Sequence, residues 1–136
     1  EQGAWWAETE RCFDGPVTFM DCPTVTEWMG GGSDDAGFVQ IMEGHTSDAK
    51  RMHEMLGEGG DRIHEVRPEI IGGLLCTDTG DSYVEAIYFT SESEAREHEK
   101  MEVPDDLKPL FEEEMRLLGE VTYYDLHEPQ LVSAAR

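Results

Sequence analysis

The chain has 136 residues, of which 31 are acidic and 10 are basic, so its formal charge at pH 7 is −21. Such a chain lacks the clustered Lys and Arg that bind a nucleic-acid backbone or an anionic membrane surface, and the sequence predicts neither partner. No apolar run approaches the ~20 residues of a membrane-spanning helix. The three cysteines form no CxxC motif and cannot all pair with one another, which favours reduced thiols and a cytoplasmic location.

The first 36 residues hold a predicted helix, a predicted strand and a linker. Apolar residues recur at helical spacing over residues 4–13, and Gly15 with Pro16 ends that helix. Residues 17–22 alternate as a short strand does. The glycine-rich stretch 26–36 has no periodicity, and we interpret it as a flexible linker.

The pattern from residue 37 to residue 128 is that of a complete small domain. Two helical patterns separate four predicted strands, which cover residues 38–43, 70–77, 83–90 and 121–126. Glycines predict a break in the first of these helices, and Ser91 with Glu94 forms a capping-box pattern for the second. The order β-α-β-β-α-β predicts an α+β, ferredoxin-like fold with a four-stranded antiparallel sheet and both helices on one face. Residues 129–136 are predicted to be a flexible tail.

The end of the first helix repeats near the end of the chain. Residues 6–15 align with residues 110–119, and the pattern Val-Thr-aromatic-x-Asp follows the closing glycine in both places, at Val17 and at Val121. Chance similarity between two acidic amphipathic helices is the alternative. We interpret residues 1–25 as the terminal helix and strand of a partial first repeat, and we expect a further segment before residue 1.

Three blocks of the sequence resemble a known superfamily: GFVQIMEGHTSDAKRM, RPEIIGG and SYVEAIYFTSESEARE. They resemble the dimeric α+β barrels, which include antibiotic biosynthesis monooxygenase-like and stress-responsive domains. The endings WWAETERCFDGPVTFMDC and LFEEEMRLLGEVTYYDL are similar to an actinobacterial group with two tandem barrel domains. The resemblance implies a second sheet facing the first, and pairing of strand 17–22 beside strand 70–77. A chain with one and a fraction repeats should seek a partner to cover its sheet, so we expect a homodimer.

Candidate catalytic residues lie on the predicted strands. Gln40 and Glu85 are polar groups on central strands, and if both face the chamber between two sheets, Glu85 could act as a general base with a raised pKa. Alternatively, Glu85 reaches solvent or pairs with a neighbour. Tyr123 and Tyr124 project to opposite faces of their strand. We take Glu85, Gln40 and Tyr123 as catalytic candidates, and Tyr124 as a ligand-binding candidate.

The histidines indicate a functional site less clearly than the polar residues on the strands do. His45 and His127 follow the first and last strands of the domain, so we expect them at a barrel mouth as ligand-binding candidates, whereas His53 is predicted to be solvated. No HxH or HExxH spacing occurs, and no metal site is predicted. No nucleotide-binding motif occurs either, and the sequence predicts no cofactor. The acidic stretch from Glu92 to Glu120 is interpreted as a solvated helix face.

Three functions remain open from the sequence. The first is a cofactor-independent monooxygenase or isomerase that acts on a hydrophobic small molecule, since such chemistry asks for an apolar chamber, an acid/base pair and a hydrogen-bond donor. The second is a non-catalytic ligand-binding or stress-response module. The third is a structural pseudo-dimer whose chamber is filled by side chains.

Overall fold

One antiparallel sheet organises the chain, and the computed structural model describes residues 2–133 of it. Its five strands are β1 (Thr24–Trp28), β2 (Phe38–His45), β3 (Ile70–Thr77), β4 (Ser82–Phe89) and β5 (Val121–His127). The helices are α1 (Gln2–Thr9), which continues into a 3-10 turn over Glu10–Cys12, α2 (Ala49–Met55), α3 (Gly60–Val66), α4 (Glu92–His98) and α5 (Lys108–Leu118).

The strands lie in the order β1-β3-β4-β2-β5, and every neighbouring pair is antiparallel. The four strands from β2 to β5 and the helices between them give the order β-α-β-β-α-β, in which the last strand pairs beside the first. This is the ferredoxin-like arrangement, so the predicted fold class is confirmed. An additional strand and helix precede it, as expected.

The additional strand does not lie where the sequence analysis placed it. Residues 17–22 adopt no regular secondary structure, and the segment that pairs with β3 is Thr24–Trp28, three residues of which were assigned to the linker 26–36. The predicted partner is therefore right and the predicted segment is wrong. The division of the chain into a partial and a complete repeat stays a prediction.

Space on β3 explains why the later segment pairs there. A Cβ atom at Gly72 would lie 1.9 Å from the carbonyl oxygen of Gly31, and one at Gly73 would lie 2.1 Å from Cε2 of Trp28. Both distances are shorter than any real contact, so the two glycines are what allows β1 and the turn after it to lie against β3. Residues 17–22 also have strand propensity, but local propensity does not show which segment fits against the two glycines.

The α-helix predicted over residues 4–13 ends earlier, at Thr9, but the break after β2 and the caps of α2 and α4 lie where the sequence indicates. The helical pattern after β2 breaks between α2 and α3, where Gly59 adopts a left-handed conformation with φ of 69°. Asp48 caps α2 by accepting a hydrogen bond from the backbone N–H of Arg51, and Ser91 caps α4 by accepting one from Glu94. None of the helices in residues 2–133 combines the length and apolar character needed to cross a membrane.

The two faces of the sheet differ in what covers them. One face packs against helices α2, α4 and α5, and its buried side chains include Phe38, Leu75 and Tyr83. On the other face, which we call the open face, Val25 is 54% exposed, and Tyr124 and Leu126 on β5 are 47% and 43% exposed. The open face is therefore apolar and incompletely covered within the described chain.

Candidate functional site

A cavity of about 1050 Å³ lies between the sheet and the helices. Its walls come from the helix-facing side chains of β2, β3, β4 and β5, from helices α2 to α5 and from Trp28 of β1. The sequence suggests a chamber between two sheets for Gln40 and Glu85, whereas both residues line this cavity between the sheet and the helices. The strand faces that carry Gln40 and Glu85 also carry the large apolar residues Phe38 and Met42, and these residues direct the face toward the helices.

Glu85 lies at the floor of the cavity and is only 2% exposed. It projects from the central strand β4, where the register places it between Met42 of β2 and Leu75 of β3. In residues 2–133 no basic side chain forms an ion pair with it. Burial disfavours its charged form, and the nearby carboxyl of Glu114 adds to this, so the pKa of Glu85 rises to about 8.

Glu114 is a second acid of the cavity, contributed by α5. Burial raises the pKa of its carboxyl, and the guanidinium of Arg67 offsets part of that rise. This position corrects the interpretation of the Glu92–Glu120 stretch as a solvated face, because Glu114 does not point to solvent. Two carboxyl groups with raised pKa values therefore face one apolar space, an arrangement found at sites of proton transfer.

Trp28 brings a hydrogen-bond donor to the same place. Its indole Nε1 is buried and has no hydrogen-bond partner of acceptable geometry among the described residues. The indole N–H still lies close enough to Glu85 to favour the ionised carboxylate slightly and to lower its pKa. A donor that makes no well-aligned hydrogen bond in the described chain is thus held beside the buried carboxyl.

Gln40 also lines the cavity, but its amide is already engaged. Its Nε2 donates to Oδ1 of Asp125 at 2.9 Å, and this bond lowers the pKa of Asp125. Arg96 pairs with the second oxygen of Asp125 and places its guanidinium 5.3 Å from the centre of the Phe38 ring. Gln40 therefore belongs to a closed polar network at one wall of the cavity.

The two tyrosines of β5 separate as strand alternation requires. Tyr123 lines the cavity and is 51% exposed, whereas Tyr124 lies on the open face. Neither tyrosine hydroxyl forms a hydrogen bond with Glu85 or Gln40 in the part of the chain that the structure describes.

The candidate histidines lie outside the cavity. His45 Nε2 is 3.2 Å from Oγ of Ser82, and His127 Nδ1 is 2.7 Å from Oε2 of Glu92. Neither histidine is part of the cavity wall, and Tyr124 is not part of it either. Of the six candidates, the structure thus brings together Glu85, Gln40 and Tyr123 and leaves the three ligand-binding candidates elsewhere.

His53 is not solvated, contrary to the prediction. Its Nδ1 lies 2.7 Å from Oγ1 of Thr26 on β1, and its Nε2 lies 2.9 Å from Oγ1 of Thr77 on β3. Burial lowers the pKa of the imidazole. A neutral His53 on α2 therefore bridges β1 and β3 and holds the additional strand against the sheet.

A third buried carboxyl, Glu69, lies at the edge of the cavity with its partners. The Arg67 Nε donates to Glu69 Oε1, and His98 Nδ1 lies 2.8 Å from Oε2 without the alignment of a hydrogen bond. The side chain of Glu69 is 1% exposed, while Arg67 and His98 reach the cavity wall. Within residues 2–133 no group of three metal-binding side chains converges.

Sequence reasoning missed Glu114 and Trp28 for different reasons. Glu114 follows Leu110 by four residues and precedes Leu118 by four, so it lies on the apolar stripe of α5, and helical spacing alone could have identified it. Trp28 gave no such signal, because its position depends on the pairing of β1 with β3. That pairing is set by long-range contacts rather than by local pattern.

No family model matches the chain, and no curated protein matches it. Among solved structures, the chain is similar to an uncharacterized ferredoxin-fold protein from Listeria monocytogenes 4b F2365, described as related to antibiotic biosynthesis monooxygenases. The two chains are 10% identical with a TM-score of 0.48, and the likeness covers 94% of this chain and 89% of that chain. We draw neither family membership nor activity from a likeness this distant.

Proposed function

We propose that the protein is an enzyme that transfers a proton on a hydrophobic small molecule, as a cofactor-independent isomerase or monooxygenase. One observation carries this proposal: a carboxyl group that is 2% exposed, has a pKa of about 8 and lacks an ion-pair partner in the described chain stands at the floor of a large apolar cavity. A carboxylate in such surroundings is a stronger base than one in water. An ionisable group is costly to bury, and chemistry gives a reason to keep it there.

The proton transfer follows from this geometry. Ionised Glu85 takes a proton from an acidic C–H bond of the bound molecule and becomes a neutral acid, while the bound molecule becomes a carbanion or enolate. In an isomerase, Glu85 returns the proton to another carbon. In a monooxygenase, dioxygen as co-substrate adds to the carbanion and Glu85 returns its proton to the resulting peroxide. The same carbon then loses its second hydrogen as a proton while the O–O bond breaks, which leaves a carbonyl oxygen on the product and releases the other oxygen as water.

The apolar wall supports the choice of a hydrophobic molecule. Residues from several elements, among them Met42, Met52, Ile87 and Leu118, face the space above Glu85. Burial of apolar area contributes roughly 25 cal/mol per Å², so a molecule that fills the cavity gains most of its affinity from this wall. The same wall excludes water and keeps the carboxyl in its weakly acidic state.

Elimination of 5-nitrobenzisoxazole tests the base directly, because this apolar probe opens to a coloured phenolate when a base removes one proton. We expect the wild-type protein to accelerate the reaction, with a rate that rises with pH around a midpoint near 8. Glu85→Gln should lower the rate about 100-fold or more. Glu43→Gln, which removes an exposed acid from β2, is the matched control. Equal rates for wild type and Glu85→Gln would contradict the proposal.

The closed polar network favours a second candidate, a module that binds its ligand without reaction. Gln40 and Asp125 bond to each other, and Arg96 bonds to Asp125, so none of the three is free to act on a ligand. Binding of the fluorescent apolar probe anilinonaphthalene sulfonate, together with no elimination by the wild-type protein at pH 9, would favour this candidate.

We also propose that a second copy of the chain covers the open face in a homodimer. Exposed apolar side chains on β1 and β5 support this, since monomeric proteins seldom leave a continuous apolar face in water. The resemblance found in the sequence implies the same arrangement of two facing sheets.

A further inference from the structure

We propose that Trp28 is the residue that binds and orients the polar oxygen of the ligand, and that strand β1 therefore belongs to the site. This inference rests on the proposed function, because it assigns a partner to the molecule on which Glu85 acts. It names the ligand as a hydrophobic compound with a hydrogen-bond-accepting oxygen next to an acidic C–H bond, for which a ketone is the simplest case.

The first argument is the unpaired donor. The indole N–H of Trp28 is buried at the cavity wall and makes no hydrogen bond of acceptable geometry in residues 2–133, although the Glu85 carboxyl lies near it. Buried N–H groups nearly always have a partner, since an unpaired one loses the hydrogen bond that it makes with water. A carbonyl oxygen inside the cavity supplies the missing acceptor.

The second argument is the position of this donor relative to Glu85. The two side chains approach closely enough for the N–H to act on the carboxyl. A ketone whose oxygen accepts from Trp28 thus has its adjacent C–H group near the base. As the proton moves to Glu85, negative charge develops on the ketone oxygen, and the hydrogen bond from the indole strengthens at that moment.

The third argument is that the backbone of β3 is shaped for this side chain. A Cβ at Gly73 would lie 2.1 Å from Trp28 Cε2 and 2.3 Å from its Nε1, so only glycine lets the indole lie across β3 toward β4. The register places Trp28 opposite Gly73, and Gly73 opposite Ile87, which is two residues from Glu85. Gly73 is accordingly a positioning residue for the indole.

Proton NMR of the indole groups tests the inference on the wild-type protein with 2-tetralone and with tetralin, the hydrocarbon of similar shape. We expect the Trp28 Nε1–H signal to move downfield with 2-tetralone and to move little with tetralin. Trp5 and Trp6 on α1 are internal references in the same spectrum. The Trp28 signal is identified by its loss in Trp28→Phe, and equal movement with both compounds overturns the inference.

Two variants add a measurement of affinity. Trp28→Phe keeps a ring and removes the donor, and we expect it to bind 2-tetralone about three- to tenfold more weakly than the wild type while it binds tetralin equally well. Gly73→Ala should weaken 2-tetralone binding in the same way, because it displaces the indole. Equal losses for both compounds in both variants mean that Trp28 only packs, and this overturns the inference.

Deuterium exchange at the acidic carbon of 2-tetralone separates this inference from the proposed function. Exchange that depends on Glu85, with no movement of the Trp28 signal, overturns the role of Trp28 and keeps the base. Movement of the Trp28 signal without exchange overturns the base and keeps Trp28 as the ligand-binding residue. If neither compound changes any signal of the cavity residues, both proposals are wrong.

Discussion

Glu85 is only 2% exposed and has no cationic partner among residues 2–133. Its pKa of about 8 in the folded protein compares with 4.5 for an unperturbed glutamate, so the buried carboxyl is largely protonated at pH 7. A carboxyl of this kind lowers stability at high pH and supplies a base where the ligand binds. The residue therefore links the stability of the fold to the proposed chemistry.

The pH dependence of stability tests this link. Between pH 4.5 and pH 8 the unfolded chain releases the proton of Glu85 while the folded chain retains it, so Glu85 makes the free energy of unfolding fall as pH rises. Glu85→Gln removes this loss. We expect the variant to gain on the order of 3 to 5 kcal/mol relative to the wild type between pH 4.5 and pH 8. Urea unfolding at several pH values measures it, and a constant difference across that range contradicts the assignment.

The carboxyl of Glu114 raises the pKa of Glu85, and this effect can be measured separately. Loss of its negative charge should lower the pKa of Glu85, because a like charge disfavours a second ionised carboxylate. In Glu114→Gln, the midpoint of the pH profile for nitrobenzisoxazole elimination should accordingly move to lower pH. Glu112→Gln, an exposed acid on the same helix, should leave the midpoint unchanged. A midpoint that stays in place in Glu114→Gln shows that the two carboxyl groups are independent.

At the scale of elements, β1 is held by three kinds of contact. Backbone hydrogen bonds pair it with β3, the glycines of β3 leave room for it, and His53 of α2 bonds to Thr26 and Thr77 on the two strands. The neutral imidazole donates from one ring nitrogen and accepts at the other, so it can bond to both threonine hydroxyls at once. The strand is therefore fastened to a helix as well as to its neighbour in the sheet.

His53→Ala should loosen β1 without unfolding the domain. Each lost hydrogen bond contributes about 0.5–1.5 kcal/mol, so amide hydrogen exchange over Thr24–Trp28 should accelerate about tenfold, while exchange in β2 and β4 stays nearly unchanged. His64→Ala on α3 is the control, because its side chain is exposed. Uniform acceleration across the whole sheet would show that His53 supports the fold in general.

How far the sequence predicts these elements depends on the range of the interactions that form them. Strand alternation separates Tyr123 from Tyr124 because period-two patterning is local, and the structure places Tyr123 in the wall of the same cavity as Gln40 and Glu85. The choice of Thr24–Trp28 over residues 17–22 depends on Gly73, which is more than forty residues away in the sequence. Local pattern also leaves open which face of the sheet the helices cover, and the structure shows that they cover the face that carries Gln40 and Glu85.

At the scale of the whole molecule, the net charge opposes the association of two copies and the apolar open face favours it. Two copies that meet through the open face bury the apolar side chains of β1 and β5, but each copy carries a formal charge of −21. Repulsion between copies extends over a Debye length of about 8 Å at physiological ionic strength. Association of the chain should consequently depend on salt.

Light scattering after size-exclusion chromatography measures this association. We expect a dimer whose dissociation constant falls as sodium chloride rises, because salt screens the repulsion and leaves the apolar contact. Tyr124→Lys should shift the equilibrium toward the monomer by about tenfold or more, since it buries an unpaired charge. Ser93→Lys, on the exposed side of α4, adds the same charge away from the open face and should not weaken the dimer.

Gly72 and Gly73 of β3 affect how far the chain can be shortened from its N-terminal side. A fragment cut at residue 37, the border that the sequence suggests, keeps all four strands of the ferredoxin-like unit but loses the indole that lies over Gly73. We expect solvent to enter along that edge and to hydrate the carboxyl beneath it, which would lower the pKa of Glu85 toward that of a free glutamate. The proposed site would then need a longer stretch of chain than the four strands of the ferredoxin-like unit.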